Sequence, residues 1–242
     1  MRYREAPPPD DLAEVVHCFW ELRTLAALPE RFSYLALPDA CVNLLFNVLE
    51  PTIAGVTALH VQATTLDLGT SFHYAGVQFY PGAWQGDRAE IVDRYVGTAY
   101  RGALPLVETG RRLAGLEFAD MVPVLAGQVR WCLAHGHARA SAMTARILSN
   151  LDLIRSVADM AALLGLSTRQ LQRTIRRLTG FAPHDLIKVL RLQQSFRRHH
   201  LDLYADQSHF ITAFREATGL TPVQYARRFG VRSVQDEPGR LA

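Results

Sequence analysis

The sequence predicts an α+β protein: a β-rich N-terminal domain, of barrel, cupin-like or sandwich type, followed by an all-α domain built from two helix-turn-helix units. Three observations predict it. Short apolar runs recur at roughly ten-residue spacing between Tyr34 and Tyr80, each closed by Gly, Pro, Asp or Thr, the pattern of strands in a barrel or sandwich. From Arg88 onward the apolar residues fall instead at helical spacing. In the last third, a shift of 39 positions lays Asp206–Pro222 over Ser167–Pro183 without a gap, an internal repeat.

A chain of 242 residues exceeds one typical domain and falls short of three, so two are expected. We place them at 1–140 and 141–232, with 233–242 as a disordered tail. Apolar residues make up 49% of the chain, enough for ordinary cores. The net charge of +3 conceals an asymmetry: residues 1–150 carry net −3 and residues 151–242 net +6, so the positive end is the helical one, as a polyanionic partner requires. Only Lys188 among the 26 basic residues is lysine. Arginine presents the planar donor fork that suits phosphate and guanine, although so lopsided a usage also follows from base composition of the genome.

Cys18, Cys41 and Cys132 are odd in number, widely spaced and without any Cys-x-x-Cys, which indicates neither a disulfide framework nor a zinc site and suits a reducing cytosol. The start, Met1 to Glu5 running into Pro7-Pro8-Pro9, has no signal-peptide character, and no stretch approaches the ~20 apolar residues of a membrane span. A cytoplasmic location without membrane partners is therefore expected.

In chain order, Leu12 to Arg23 reads either as a short amphipathic helix or, the reading we favour, as a helix leading into a strand. Tyr34–Leu37 and Cys41–Val48 read as two strands around the Pro38-Asp39-Ala40 turn, and Thr52–Val56, His60–Thr64 and Phe72–Tyr80 continue the series. Ile91, Val92 and Tyr95 suggest a short helical segment, and Leu106–Leu113 another. Met121–Leu133 carries Val122, Leu125, Val129 and Cys132 at helical spacing, a core face by default and a dimer seam as the alternative. His135–Ser141 reads as a linker and Thr144–Leu151 as helix. His17, His60 and His73 are scattered, no His-x-His precedes residue 135, and His135-Gly136-His137, in a loop after a helix, and His199-His200, at a helix end, read as solvated caps, so no metal and no cofactor is expected.

The most informative stretch is Ser167–Leu178. Ser167 with Gln170 three residues later is a capping box, and Gly180 with Pro183 marks the end. At 3.6 residues per turn Leu171, Ile175 and Leu178 share one face, whereas Arg169, Arg173 and Arg176 gather opposite, with Gln172 beside them. Arg and Gln match guanine and adenine edges in a major groove. A merely solvated basic face would look similar, so the preceding residues matter. Val157–Leu164 reads as a short helix with Val157, Met160, Ala161 and Leu164 inward. Ala161 permits close approach, Gly165 supplies a turn with positive φ, and Leu166 fills the angle. The candidate DNA-binding residues are Thr168, Arg169, Gln172, Arg173, Arg176 and Arg177. In the repeat they are Gln207, Ser208 and Thr212, beside Ile211 and Arg215.

With Arg191-Leu192-Gln193 in the connecting segment, Asp206-Gln207-Ser208-His209-Phe210, and Thr218-Gly219-Leu220-Thr221-Pro222 before Tyr225, residues from about 151 to 230 resemble the DNA-binding domain of AraC/XylS-type transcription regulators. Phe79-Tyr80-Pro81-Gly82, Leu37-Pro38-Asp39 and Cys18-Phe19-Trp20 resemble, less specifically, the N-terminal part of one AraC-type subgroup. The resemblance implies a transcription regulator that binds double-stranded operator or promoter DNA, responds to a small-molecule effector through its first domain, and works as a homodimer with a contact to RNA polymerase. The chain departs from that pattern before Asp206. The counterparts of Ala161 and Gly165 are His200 and Tyr204, and there is no room for a separate scaffold helix, so the second unit looks shortened by about ten residues. The end of the linker helix or Leu201-Asp202-Leu203 should then support the second recognition helix, at an altered angle. The alternative function is a ligand-binding or scaffold protein whose DNA-binding domain is degenerate. No enzyme is expected: phosphate loop, nucleophile elbow and paired catalytic groups are all missing from the sequence.

Overall fold

The computed structural model describes residues 1–57, 63–87, 91–92, 97–198 and 207–229, with the side chains of 92, 195–198, 207, 209 and 226–229 outside that description. The expectations for residues 58–62, 93–96, 199–206 and the tail 233–242 therefore lie outside the described residues. The architecture is an antiparallel β-sheet region followed by a helical region.

Strands β1 (Arg2–Ala6), β2 (Val16–Arg23), β3 (Ser33–Ala36), β4 (Asn43–Asn47), β5 (Ala54–Thr57), β6 (Thr64–Asp67), β7 (His73–Phe79) and β8 (Ile91–Val92) form two sheets. The larger has the order β1-β2-β7-β4-β5-β8, antiparallel except for β5 with β8, and the smaller pairs β3 with β6. Helices α1 (Leu106–Leu113), α2 (Phe118–Ala134), α3 (Ala142–Ser149), α4 (Val157–Leu164), α5 (Thr168–Thr179), α6 (Pro183–Arg198), α7 (Gln207–Thr218) and α8 (Pro222–Phe229) follow among the described residues.

The chain divides into two compact units, one of Met1–Ser33, Cys41–Leu59 and Leu66–Ala145, the other of Tyr34–Ala40, His60–Thr65 and Arg146–Ala242. In the first, alternate residues of β2, β4, β5 and β7 (Phe19, Leu44, Phe46, Val56, Val77, Phe79) are buried against Leu106 and Leu113 of α1 and Met121, Leu125 and Val129 of α2. The apolar stripe of α2 is thus core, its default assignment. Cys18, Cys41 and Cys132 are buried and none is joined in a disulfide, and burial pushes the Cys132 thiol up to about 11. Among the described residues no helix is long and apolar enough to cross a membrane, and no group of three His, Cys, Asp or Glu side chains is placed to hold a metal ion.

Two expectations are corrected. Tyr34–Ala36 and Asn43–Asn47 are strands but not a hairpin: β3 pairs with β6, and β4 lies between β7 and β5. Between them Ala40 takes a positive φ of 55°, and the Pro38 carbonyl accepts a hydrogen bond from Gln193 Nε2 of α6, so this stretch is held by the helical unit rather than by a turn. Ile91 and Val92 are not helical; they pair in parallel with Val56 and Thr57, a non-local partnership that two residues cannot announce in sequence. Strand β1, absent from the sequence expectation, exists because it pairs in register with β2, from Arg2 opposite Arg23 to Ala6 opposite Phe19.

Candidate DNA-recognition surface

The second unit is built around α6. Leu186, Ile187, Val189, Leu190 and Leu192 are all buried, so this helix is covered on more than one side. Arg191 donates to the carbonyl of Ile154, and Gln194 Nε2 to Asp152 Oδ1 at 3.2 Å, which ties α6 to the residues that enter α4.

Ser156 caps α4 by accepting from the Asp159 N–H at 3.1 Å. Hydrogen bonds from Ser156 and from the Arg155 N–H hold Asp159 below the usual carboxylate range, where its charge favours the positive helix end. Met160 and Ala161 are buried. Gly165 ends α4 with φ 67°, a left-handed conformation that costs a side-chain-bearing residue about 1–2 kcal/mol. Its N–H closes back on Ala161 and Ala162, and the chain turns directly into the next cap. There Ser167 Oγ accepts from the Gln170 N–H at 3.3 Å while Gln170 Oε1 accepts from the Ser167 N–H at 2.9 Å. The cap occupies Gln170 and leaves Gln172 as the glutamine presented to solvent.

On α5, Leu171 and Ile175 are fully buried and Leu178 is half-buried. Thr168, Arg169, Gln172, Arg173, Arg176 and Arg177 are all exposed. None of the four arginine side chains makes a hydrogen bond or ion pair among the described residues. A face with four cations in nine residues and no carboxylate to neutralise them is suited to a polyanion.

The repeat reappears in the caps. At the end of α5, Thr179 Oγ1 donates to the Ile175 carbonyl at 2.9 Å and accepts from the Phe181 N–H at 3.2 Å. At the end of α7, Thr218 Oγ1 donates to the Phe214 carbonyl at 2.8 Å and accepts from the Leu220 N–H at 3.1 Å. Gly180 and Gly219 follow at φ 78° and 74°. Phe214 is buried and meets Tyr225 of α8 edge to face at 5.6 Å. The outer face of α7 differs. Ser208, Ile211, Thr212 and Arg215 are exposed, while the Gln207 side chain lies outside the described residues. Glu216 pairs with Lys188 of α6 at 3.2 Å, a link that composition could not reveal. Helix α7 packs against α6, and its C-terminal Ala217 carbonyl accepts from the Ala63 N–H at 2.7 Å.

A family model described as a domain of unknown function, DUF6597, matches residues 4–86. No curated protein sequence matches the chain. Among solved structures, the chain is similar in course to an apo ToxT variant from Vibrio cholerae strain SCE256, at 11% identity and TM-score 0.46, over 86% of this chain and 97% of that one. It is also similar to ToxT from Vibrio cholerae O395, at 10% identity and TM-score 0.41, over 86% and 98% of the two chains, and to ToxT from the same strain bound to (E)-4-(8-methylnaphthalen-1-yl)but-3-enoic acid, at 10% identity and TM-score 0.40, over 94% and 98%.

Proposed function

We propose that the chain is a sequence-specific DNA-binding transcription regulator of AraC type, not an enzyme, whose first domain responds to a small-molecule effector. The observation that carries this is the exposed face of α5: Arg169, Arg173, Arg176 and Arg177, unpaired among the described residues, beside Gln172 on a helix capped at both ends. Arg173 and Gln172 are assigned to base edges, Arg177 to phosphate, and Thr168, Arg169 and Arg176 to the flanks of the same groove. Ser208, Thr212 and Gln207 of α7 are assigned a weaker role in the next groove segment. Residues 1–140 are assigned to effector binding and homodimerisation, which would give paired half-sites, and 141–232 to DNA. A contact to RNA polymerase belongs to the same proposal.

The test is binding of the full chain to a fragment of its own upstream DNA and to a scrambled fragment across a salt series. A regulator prefers its own fragment and loses affinity steeply with salt, each phosphate contact contributing about 0.9 to the log–log slope. Equal, weak binding to both fragments would favour the alternative, a ligand-binding or scaffold protein with a degenerate DNA-binding domain. That alternative draws on α7, whose outer face shows one arginine against four on α5.

A further inference from the structure

At one end of the six-stranded sheet, its helix-covered face stops being apolar. The register sets Arg4 opposite Glu21 and Arg2 opposite Arg23, and Arg23 opposite His73, so alternate residues of three strands place these five side chains together. Glu117, the residue before α2, joins them.

Glu21 is fully buried and both its oxygens are engaged. Oε2 accepts from Arg4 Nε at 2.9 Å, and Oε1 lies 2.9 Å from His73 Nε2. Burial, partly offset by Glu21, pushes His73 below its ordinary value, so the ring is neutral near pH 7 and Nε2 is the donor. Glu117 is held far less tightly. It receives Arg23 Nη1 and Nη2 at 3.3 and 3.4 Å and has Arg2 and Arg4 at 3.7 Å, while its own side chain is 65% exposed. These distances are long for charge-assisted pairs, which close to about 2.7–2.9 Å.

The cluster is therefore under-supplied with acceptors. Three guanidinium groups face two carboxylates, one positive charge in excess. Four buried nitrogens, Arg2 Nε and Nη2, Arg4 Nη2 and Arg23 Nε, have no hydrogen-bond partner among the described residues. Arg4 Nη2 lies 2.9 Å from Glu21 Oε2 but off the line of a bond. Buried donors without acceptors are costly, and a planar oxyanion is the group that guanidinium forks satisfy. The excess of one charge selects a monoanion over a dianion. The Phe118 ring, 5.0 Å from Arg4 Cζ, gives an organic anion an apolar edge to rest on.

We propose that Arg2, Arg4 and Arg23 form a binding site for a small monoanionic carboxylate, for which the loosely held Glu117 carboxylate competes. Benzoate is a suitable probe, titrated into the full-length protein by calorimetry and thermal melting near pH 7, with sodium chloride and sodium sulfate at matched ionic strength as controls. Saturable binding with a rise in Tm is expected for benzoate alone. Glu117→Gln, at an exposed side chain, removes the competitor and tightens binding on the order of tenfold, and Arg2→Gln weakens it by a similar factor with little change in the ligand-free Tm. Three results would overturn the site: no saturable binding to either wild type or a folded Glu117→Gln, an equal response to chloride or sulfate, or both variants shifting affinity in the same direction. No DNA enters the titration, so its outcome is separate from that of the DNA-recognition proposal.

Discussion

Helices α5 and α7 stand 39 residues apart and end alike, each on a threonine that bonds back one turn and a left-handed glycine. Their exposed faces are unlike: four arginines, unpaired among the described residues, with Gln172 on α5, against Ser208, Ile211, Thr212 and Arg215 on α7. Both pack on the long α6; α5 leans in addition on the short capped helix α4, and α7 on α8. The comparison teaches that capping and groove chemistry are separable. A duplicated unit can keep every interaction that ends its helix while its outer face and its support diverge.

The comparison is broken most forcefully through the core. Leu171 is fully buried whereas its counterpart Phe210 is only partly buried, so Leu171→Ala should cost about 2–5 kcal/mol of unfolding free energy and Phe210→Ala less, despite removing more atoms. Denaturant unfolding checks this, and a larger loss at Phe210 would mean that the second unit carries the packing. The caps, by contrast, should behave alike. Thr179→Val and Thr218→Val each lose a bond donated one turn back and a bond accepted from the residue two on, about 1 kcal/mol per site, the Thr218 hydroxyl having the Leu220 carbonyl at 3.0 Å as a second acceptor; a Tm shift seen at only one site would show that only the sequence is repeated.

Smaller effects sharpen the contrast. Arg177→Ala should weaken binding to all DNA sequences alike and lower the salt slope by about one, the behaviour of a phosphate contact; a change in sequence ranking would move Arg177 to the base edges. The smallest effect lies in the first unit. His73 has its folded value depressed below 6.5 by burial, so the stability it contributes is complete above 6.5 and is lost as pH falls from there through the folded value. His73→Gln should flatten the fall in Tm between pH 6.5 and about 5, above the range where most carboxylates titrate. An unchanged profile would remove His73 from the account.

What the sequence made legible was local. The capping box, the turn glycine and the spacing of Leu171 and Ile175 are each decided within one or two turns of chain, and the structure has them as read. Strand β1 was hidden because its existence depends on β2, and the mistaken hairpin because β3 finds its partner in β6 rather than in the next strand. The arginine and glutamate cluster was equally invisible: Arg2, Glu21, His73 and Glu117 come from three strands and a helix start, and no spacing in the chain announces that sheet register brings them together.

The central claim is that the first helix-turn-helix, α4 with α5, dominates recognition, and it is tested most directly by measuring operator affinity for Arg173→Ala and Gln207→Ala side by side at fixed salt, on the preferred fragment and its single-base variants. The account predicts that Arg173→Ala loses about 1–3 kcal/mol of discrimination and reorders the variants, while Gln207→Ala leaves both affinity and ranking nearly unchanged. Equal losses from the two substitutions, or a ranking untouched by Arg173→Ala, would contradict it.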